Sequence, residues 1–313
     1  MGIPFYFSHL LSQHPEIFIN NNNYKNINNL FIDANSIIYD VYNKLINDIN
    51  TNHIIINTQI FIKNNVIFNP QNNIIDFESI LIDQVIIYIK NLINTIKPTH
   101  LTYIAFDGIP PLAKIEQQRT RRYKSLYIKQ IDDNIYNNQH NHNTFTWNTI
   151  SISPGTSFMN KLNKILHNTF NSNSKIFLNL SDNHGEGEYK IFNYIRLNKI
   201  TNNIIYGLDS DLIMLSLVNI KYNSQIFLFR ETPEYIKQIN INLDPTINYL
   251  IDIYALFDII KKNYNINQYD YVFLFFLLGN DFLPHFPFIN IRTNGISILL
   301  ETFKYYIMKK KKI

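Results

Sequence analysis
Three short apolar runs in this chain end alike: "NLFID", "YIAFD" and "IIYGLD" each close on an aspartate just before a helical pattern begins. A run of three to five apolar residues bounded by turn residues reads as a buried strand. "SKIFLNLS" and "SQIFLFR" supply two more. Strands alternating with helices predict an α/β fold, a twisted and mostly parallel sheet with helices on both faces. Ligands of such sheets bind beyond the carboxyl ends of the strands, so the aspartates mark where a site belongs.

Other segments fit around that frame. Residues Phe77 to Ile96 repeat apolar positions at three and four and predict an amphipathic helix. "IPPLAKIEQQRTRRYKSLYIKQI" is a loop entering a basic helix, and "SPGTSFMNKLNKIL" starts another, with Ser153 as N-cap and Pro154 at N1. "NHIIINTQIFIKNNVIFNPQNN" alternates apolar and polar residues around Asn turns, so residues 50–75 form either a β-ribbon or a partly disordered insertion. "YDYVFLFFLLGNDFLPHFP" reads as buried core, broken sharply at Gly279, with "YVFLFF" as packing and not a stacking platform. The whole of 1–313 reads as a single domain.

Composition removes several function classes. There is no cysteine, which excludes disulfides, thiolate catalysis and Cys-based zinc sites. A net charge of +4 permits a polyanionic partner without demanding one. The excess of Asn and Ile follows A/T-rich codons and carries no functional signal. The N-terminus lacks a basic n-region and a cleavage site, and no apolar run approaches the ~20 residues of a membrane span. A soluble, intracellular protein with no membrane association is expected.

The acids are the chemical signal. Asp33, Asp107, Asp209 and Asp211 follow predicted strands, and Asp281 follows the "FLFFLLGN" run. Glu186 and Glu188 sit at the start of a helix in "GEGEYKIF". Any one of them has a plain reading as a helix cap or a solvated loop residue. Seven together would repel one another in a partly dry cleft. Divalent cations with oxygen ligands are the natural compensation, and two such ions are a device for phosphodiester hydrolysis, activating water and stabilising the leaving oxygen. Beside Asp107, "AKIEQQRTRRYK" puts Lys114, Gln118, Arg121 and Arg122 on one helical face. A solvated basic face is the plain reading; next to a metal site, the same face suits a phosphorylated end.

Taken together, "MGIPFYFSHLLSQHP", "NLFIDANSIIYD", "FDGIPPLAKIEQQRTRRY", "SPGTSFM", "GEGEYKIFNYIR", "YGLDSDLIMLSL" and "LLGNDFLPHFP" resemble, in order, the N-terminal catalytic region of the 5′-to-3′ exoribonucleases. The resemblance implies a fold related to flap-endonuclease and PIN-like nucleases. It implies that Asp33, Asp107, Glu186, Glu188, Asp209, Asp211 and Asp281 bind Mg²⁺ or Mn²⁺, as two ions. By the same likeness Lys114, Gln118, Arg121 and Arg122 hold a 5′-phosphate. Tyr39 stands where the family commonly has a base-stacking His, and a phenol ring can still stack. The expected partner is single-stranded RNA with a 5′-monophosphate, degraded to nucleoside 5′-monophosphates during RNA decay, in the cytoplasm rather than the nucleus. The chain stops after "NGISILLETFKYYIMKKKKI", before the family's second conserved region, which implies a minimal or truncated member.

Two rivals remain. A flap-endonuclease-like DNA nuclease shares the acidic logic, and a non-catalytic RNA 5′-end binder would need only the basic face. The histidines show no metal spacing: His140 and His142 lie in a polar segment, His184 lacks the cysteines of a zinc deaminase, and His285 braces the loop of Asp281.

Overall fold
The computed structural model describes residues 3, 5–20, 27–50, 61–63, 66–68, 76–136, 147–220, 225–232, 236–280 and 282–310. Their strands are β1 (Phe18–Asn20), β2 (Asn29–Asp33), β3 (Phe61–Lys63), β4 (Val66–Phe68), β5 (Leu101–Ala105), β6 (Ile176–Asn179), β7 (Asn203–Tyr206), β8 (Ile226–Arg230) and β9 (Tyr249–Asp252). The first six helices are α1 (Tyr6–Gln13), α2 (Asn35–Asn50), α3 (Phe77–Ile96), α4 (Leu112–Tyr136), α5 (Ser157–Phe170) and α6 (Gly187–Asn198). Then come α7 (Asp211–Asn219), α8 (Ile236–Ile239), α9 (Ile253–Tyr264), α10 (Gln268–Phe275) and α11 (Gly295–Lys310).

Seven strands form one sheet in the order β1-β9-β8-β7-β2-β5-β6, while β3 and β4 form a separate pair. At its centre β2, β7 and β8 run parallel, with Ile32 opposite Tyr206 and Tyr206 opposite Phe229. Strands covered on both faces are apolar throughout, and β7 is accordingly buried at every position. Even Asn203 at its start is buried, its Oδ1 accepting from Asn29 Nδ2 at 3.1 Å. The expected α/β sheet is therefore present. It also carries an antiparallel edge, β9 on β8 and β1 on β9. The sequence did not reveal that edge, because β1 and β9 are three and four residues long, too short to show a period.

The chain divides into two compact units, Met1–Asp33, Lys97–Tyr103 and Glu188–Ile313 in the first, Ala34–Ile96 and Ile104–Gly187 in the second. In the first, α10 packs on α7, α9 and α11. Asn267 starts α10, its Oδ1 accepting from Tyr269 N and Asp270 N at 2.9 Å each. The hydroxyls of Tyr6 and Tyr271 meet at 3.0 Å in the interior, and Tyr271 stacks on Phe275 with centroids 4.2 Å apart.

Helix α10 corrects the reading of "YVFLFF" as buried core. Its period buries Tyr271, Val272, Leu274 and Phe275 but exposes Phe273, and Phe276 and Leu277 beyond it are exposed too. Asp281, which lies outside the described residues, thus follows a helix and a 3₁₀ turn and not a strand. The break at Gly279 is present: its φ is +89°, and a Cβ there would lie 2.8 Å from the backbone nitrogen of His285. His285 is exposed, and its side chain bonds the neighbouring Phe286 carbonyl at 3.1 Å.

In the second unit α3 packs between α2 and α5. By length and composition α3 qualifies as a membrane-crossing helix, which the sequence reading did not anticipate. It spends that apolar surface inside the unit, burying Ile80, Leu81, Ile82, Val85 and Ile89 among others. Its entry is fixed by Asp76, which accepts from Ser79 Oγ at 3.2 Å and pairs with Lys161 at 2.7 Å. Trp147 packs against Tyr42, Phe77 and Phe158, with centroids 5.8, 5.7 and 5.0 Å away. The cap of α5 is Thr156 and not Ser153: Thr156 Oγ1 accepts from Met159 N at 3.4 Å, whereas Ser153 Oγ donates to the Ile150 carbonyl. Gly155, at φ +85°, turns the chain between the two hydroxyl residues, so the helix starts later. Within the insertion, β3 and β4 pair antiparallel with Ile62 opposite Ile67, while 51–60, 64–65 and 69–75 lie outside the described residues.

Candidate active site
Asp107 follows β5 and its carboxylate is doubly held. Oδ2 accepts from Asn35 Nδ2 at 2.8 Å and Oδ1 from Gly187 N at 2.7 Å, while Asn35 Oδ1 accepts from Asp107 N at 3.1 Å. Gly187 is the first residue of α6, so an aspartate 80 residues earlier neutralises one of that helix's orphan donors. This explains why "GEGE" opens a helix without a Ser or Thr cap.

The two loops are fastened backbone to backbone, Gly108 N to Gly185 O at 2.8 Å and Gly185 N to Ile109 O at 2.9 Å. At Gly108 a Cβ would fall 1.6 Å from the Asn183 carbonyl oxygen, so only glycine permits the approach. Gly185, at φ +94°, supplies the turn. Glu186 is thereby set on the second unit's Lys114, Oε1 to Nζ at 3.2 Å, with the side chains 17% and 10% exposed. That pair is well desolvated, so its attraction is little screened by solvent.

Helix α4 presents two faces. Lys114 is buried, and Gln118 and Arg122 are half-buried, one and two turns further on; Arg121 is exposed. Tyr39 on α2 is 41% exposed, so its ring is accessible. Burial pushes its hydroxyl above the ordinary phenol value, the guanidiniums of Arg121 and Arg122 pull it back, and Asp107 adds to the rise. Asp107, Arg121 and Arg122 thus each lie within electrostatic reach of Tyr39.

The first unit holds a second group of acids. Asp33 ends β2 and Asp209 lies in the turn leaving its parallel neighbour β7, with Asp211 at the start of α7. The contact is made close by Gly207, whose Cβ would lie 3.5 Å from Asp33 Cβ and 2.3 Å from Leu212 Cδ1. Asp33 and Asp211 are half-buried, Asp209 is exposed, and Glu188 occupies the first turn of α6. Asp281, His140 and His142 fall outside the described residues.

Among the described residues, no three His, Asp or Glu side chains form a group that could hold a metal ion together. The local reason in the second unit is visible: both oxygens of Asp107 accept hydrogen bonds, and Glu186 is turned onto Lys114. The donor set itself, carboxylate oxygens with no sulfur, fits a hard divalent cation.

Sequence reasoning missed two residues that organise this region, Asn35 and Gly108. Both adjoin motifs already in view, "DANS" and "FDG", and a small residue beside a strand-end acid was the available signal.

Comparison with known proteins adds the following. A family described as the XRN 5'-3' exonuclease N-terminus matches residues 1–232, and one described as the Xrn1 helical domain matches residues 263–312. The 5'-3' exoribonuclease 1 of Saccharomyces cerevisiae is 29% identical over 339 residues, spanning 97% of this chain and 20% of that protein. Its Schizosaccharomyces pombe counterpart is 28% identical over 341 residues, spanning 97% of this chain and 24% of that protein. The chain therefore spans about a fifth to a quarter of these relatives' length. A solved catalytic core of Rad2 with DNA substrate aligns over 96% of this chain and 67% of that one, at 10% identity and a TM-score of 0.47. Human GEN1 with Holliday junction DNA aligns over 96% and 55%, at 14% identity and a TM-score of 0.48.

Proposed function
Since the chain belongs to the XRN 5'-3' exonuclease family, we propose that it is a metal-dependent exoribonuclease that shortens 5′-monophosphorylated single-stranded RNA from its 5′ end. The observation that carries this reading is the less exposed face of α4, where Lys114 meets Glu186 in the loop fastened to that of Asp107, and Gln118 and Arg122 follow half-buried one and two turns on. A cationic face next to fixed carboxylates suits a terminal phosphate adjoining a scissile phosphodiester.

In this reading Arg121 and Arg122 bind the terminal phosphate in forked geometry, Gln118 donates a neutral hydrogen bond, and Lys114 supplies a point charge. Lys114 then exchanges Glu186 for phosphate, leaving that carboxylate available as an oxygen donor. Tyr39 stacks on the first base. By the family resemblance, the carboxylates of Asp33, Asp107, Glu186, Glu188, Asp209, Asp211 and Asp281 would hold two Mg²⁺ or Mn²⁺ ions. When bound, such ions activate the attacking water and stabilise the leaving oxygen. Asn35 orients Asp107 through its two hydrogen bonds and limits its rotation. The product is a nucleoside 5′-monophosphate, and a capped or triphosphorylated end fits poorly in a face matched to one phosphate. A role in cytoplasmic RNA decay, as a single domain over 1–313 with an insertion near 50–75, completes the proposal.

The test is digestion of end-labelled RNA carrying a 5′-phosphate, a 5′-hydroxyl or a cap, with the wild type and Asp209→Ala in parallel. Mononucleotide release from the phosphorylated RNA alone, lost in Asp209→Ala, is the expected result. Equal digestion of all three ends, preference for flap DNA, or binding without any cleavage in Mg²⁺ or Mn²⁺ would each sink it.

A further inference from the structure
The half of α4 beyond the phosphate face has no part in the function proposed above. Tyr123 and Tyr127 lie one turn apart and are 63% and 65% exposed, and Lys124 between them is exposed as well. Arg121, Lys124 and Tyr127 follow one another at intervals of three, and Tyr123, four before Tyr127, flanks that row, so the four make one ridge along the helix surface. The ridge begins at Arg121, the exposed member of the phosphate-binding set.

We propose that this ridge is an additional contact for single-stranded RNA, with Tyr123 and Tyr127 as stacking rings and Lys124 on the intervening phosphate. Three observations carry it, and it rests on the RNA-end reading given above. First, residues 4 apart on a helix are separated by about 6 Å along the axis, close to twice the ~3.4 Å spacing of stacked bases, so the two rings can take one base between them. Second, the charge is right: beyond the buried Lys114, Arg119, Arg121, Arg122 and Lys124 face a lone acid, Glu116, across residues 115–124. A protein partner would be met by a more balanced surface, whereas a polyanion is met by this one. Third, tyrosines exposed to this degree on a charged helix are not core residues, and base–aromatic stacking tolerates any sequence, as a nuclease that moves along RNA requires.

The helix from Arg121 to Tyr127 rises about 9 Å, enough for one or two nucleotides. The ridge should therefore matter only for RNA longer than the few nucleotides that reach the phosphate face.

Binding is measured by fluorescence anisotropy in EDTA, so that turnover does not enter. The probes are 5′-phosphorylated RNA of three and of twelve nucleotides, with the wild type, the Tyr123→Ala/Tyr127→Ala double variant and the corresponding double Phe variant. The expected result is unchanged affinity for the short RNA, a loss of about tenfold for the long RNA in the Ala variant, and recovery with Phe. Equal loss on both lengths, no loss on either, or a change in sedimentation of the RNA-free protein overturns the proposal. Should the wild type fail to bind phosphorylated RNA of any length, the parent reading falls first. Wild-type binding that is indifferent to length removes the ridge alone.

Discussion
The ion pair of Lys114 and Glu186 offers a sharp test of how the second unit is held together. At 3.2 Å and an effective dielectric of ~20, the two charges attract by about 5 kcal/mol. Desolvation offsets much of that, since only 10% and 17% of the side chains reach solvent. The net worth of the pair is therefore small, yet the loss of one partner is severe. Lys114→Met removes the cation 3.2 Å from a carboxylate that is only 17% exposed and should cost up to roughly 3–5 kcal/mol, a large share of the ~5–15 kcal/mol that a folded chain possesses. Glu186→Gln removes the carboxylate charge facing the buried ammonium and should fall in the same range. The double variant Lys114→Met/Glu186→Gln removes both charges and should cost about 1 kcal/mol or less. Urea unfolding of all four proteins gives the coupling energy directly. In parallel, the double variant should keep its fold yet lose affinity for a 5′-phosphate, which separates the structural duty of Lys114 from its proposed binding duty. Two single variants each within about 0.5 kcal/mol of wild type, or a double variant equal to their sum, would refute the reasoning.

Two further outcomes follow from the glycines and the titrating groups. Gly108→Ala places a methyl 1.6 Å from a carbonyl oxygen and should destabilise by about 3 kcal/mol or more, whereas Gly155→Ala, at φ +85° with open space around it, should cost only about 1 kcal/mol; thermal melts of the pair show whether close approach or conformation dominates. Asp40 and Asp76 should respond to pH with opposite sign. Burial raises the Asp40 carboxyl, whose Oδ2 accepts no hydrogen bond, so its penalty is absent below the unfolded carboxylate range and grows as pH rises through it; Asp40→Asn should gain stability at pH 7. The hydrogen bond from Lys161 lowers Asp76, so its contribution is present above that range and disappears as pH falls through the lowered value. Asp76→Asn should lose up to ~1 kcal/mol at pH 7 and nothing at strongly acid pH, as denaturant titrations at several pH values would reveal.

Much of the parallel core could be read from the chain, since β2, β7 and β8 are unbroken apolar runs and the boundaries of α3 follow from its period. The edge strands could not, because Phe18–Asn20 is a strand only by virtue of pairing with Ile251 and its neighbours. Helix α10 was misread for a related reason. An apolar run of eight residues fits either a buried strand or a helix, and the side chains that would decide, Phe273 and Phe276, are apolar but exposed. Around the candidate site, the acids and the basic face announced themselves by charge. Asn35 and Gly108 did not: one acts through hydrogen bonds to a residue 72 positions away, the other through the absence of a side chain. Their place beside "FID" and "FDG" was the one local hint, and it does not tell what either residue does.

Helix α6 takes its first turn under instruction from a loop it does not adjoin in the chain. A peptide copied from 181–198 would lack Asp107, and with it the acceptor that holds Gly187 N. Such a fragment should remain largely unstructured in water. The same dependence ties two blocks of the chain into one heritable module: exchanging the glutamate-bearing segment with a relative's, without the "FDG" loop that receives it, would transplant the letters and leave behind the fastening that gives them a shape.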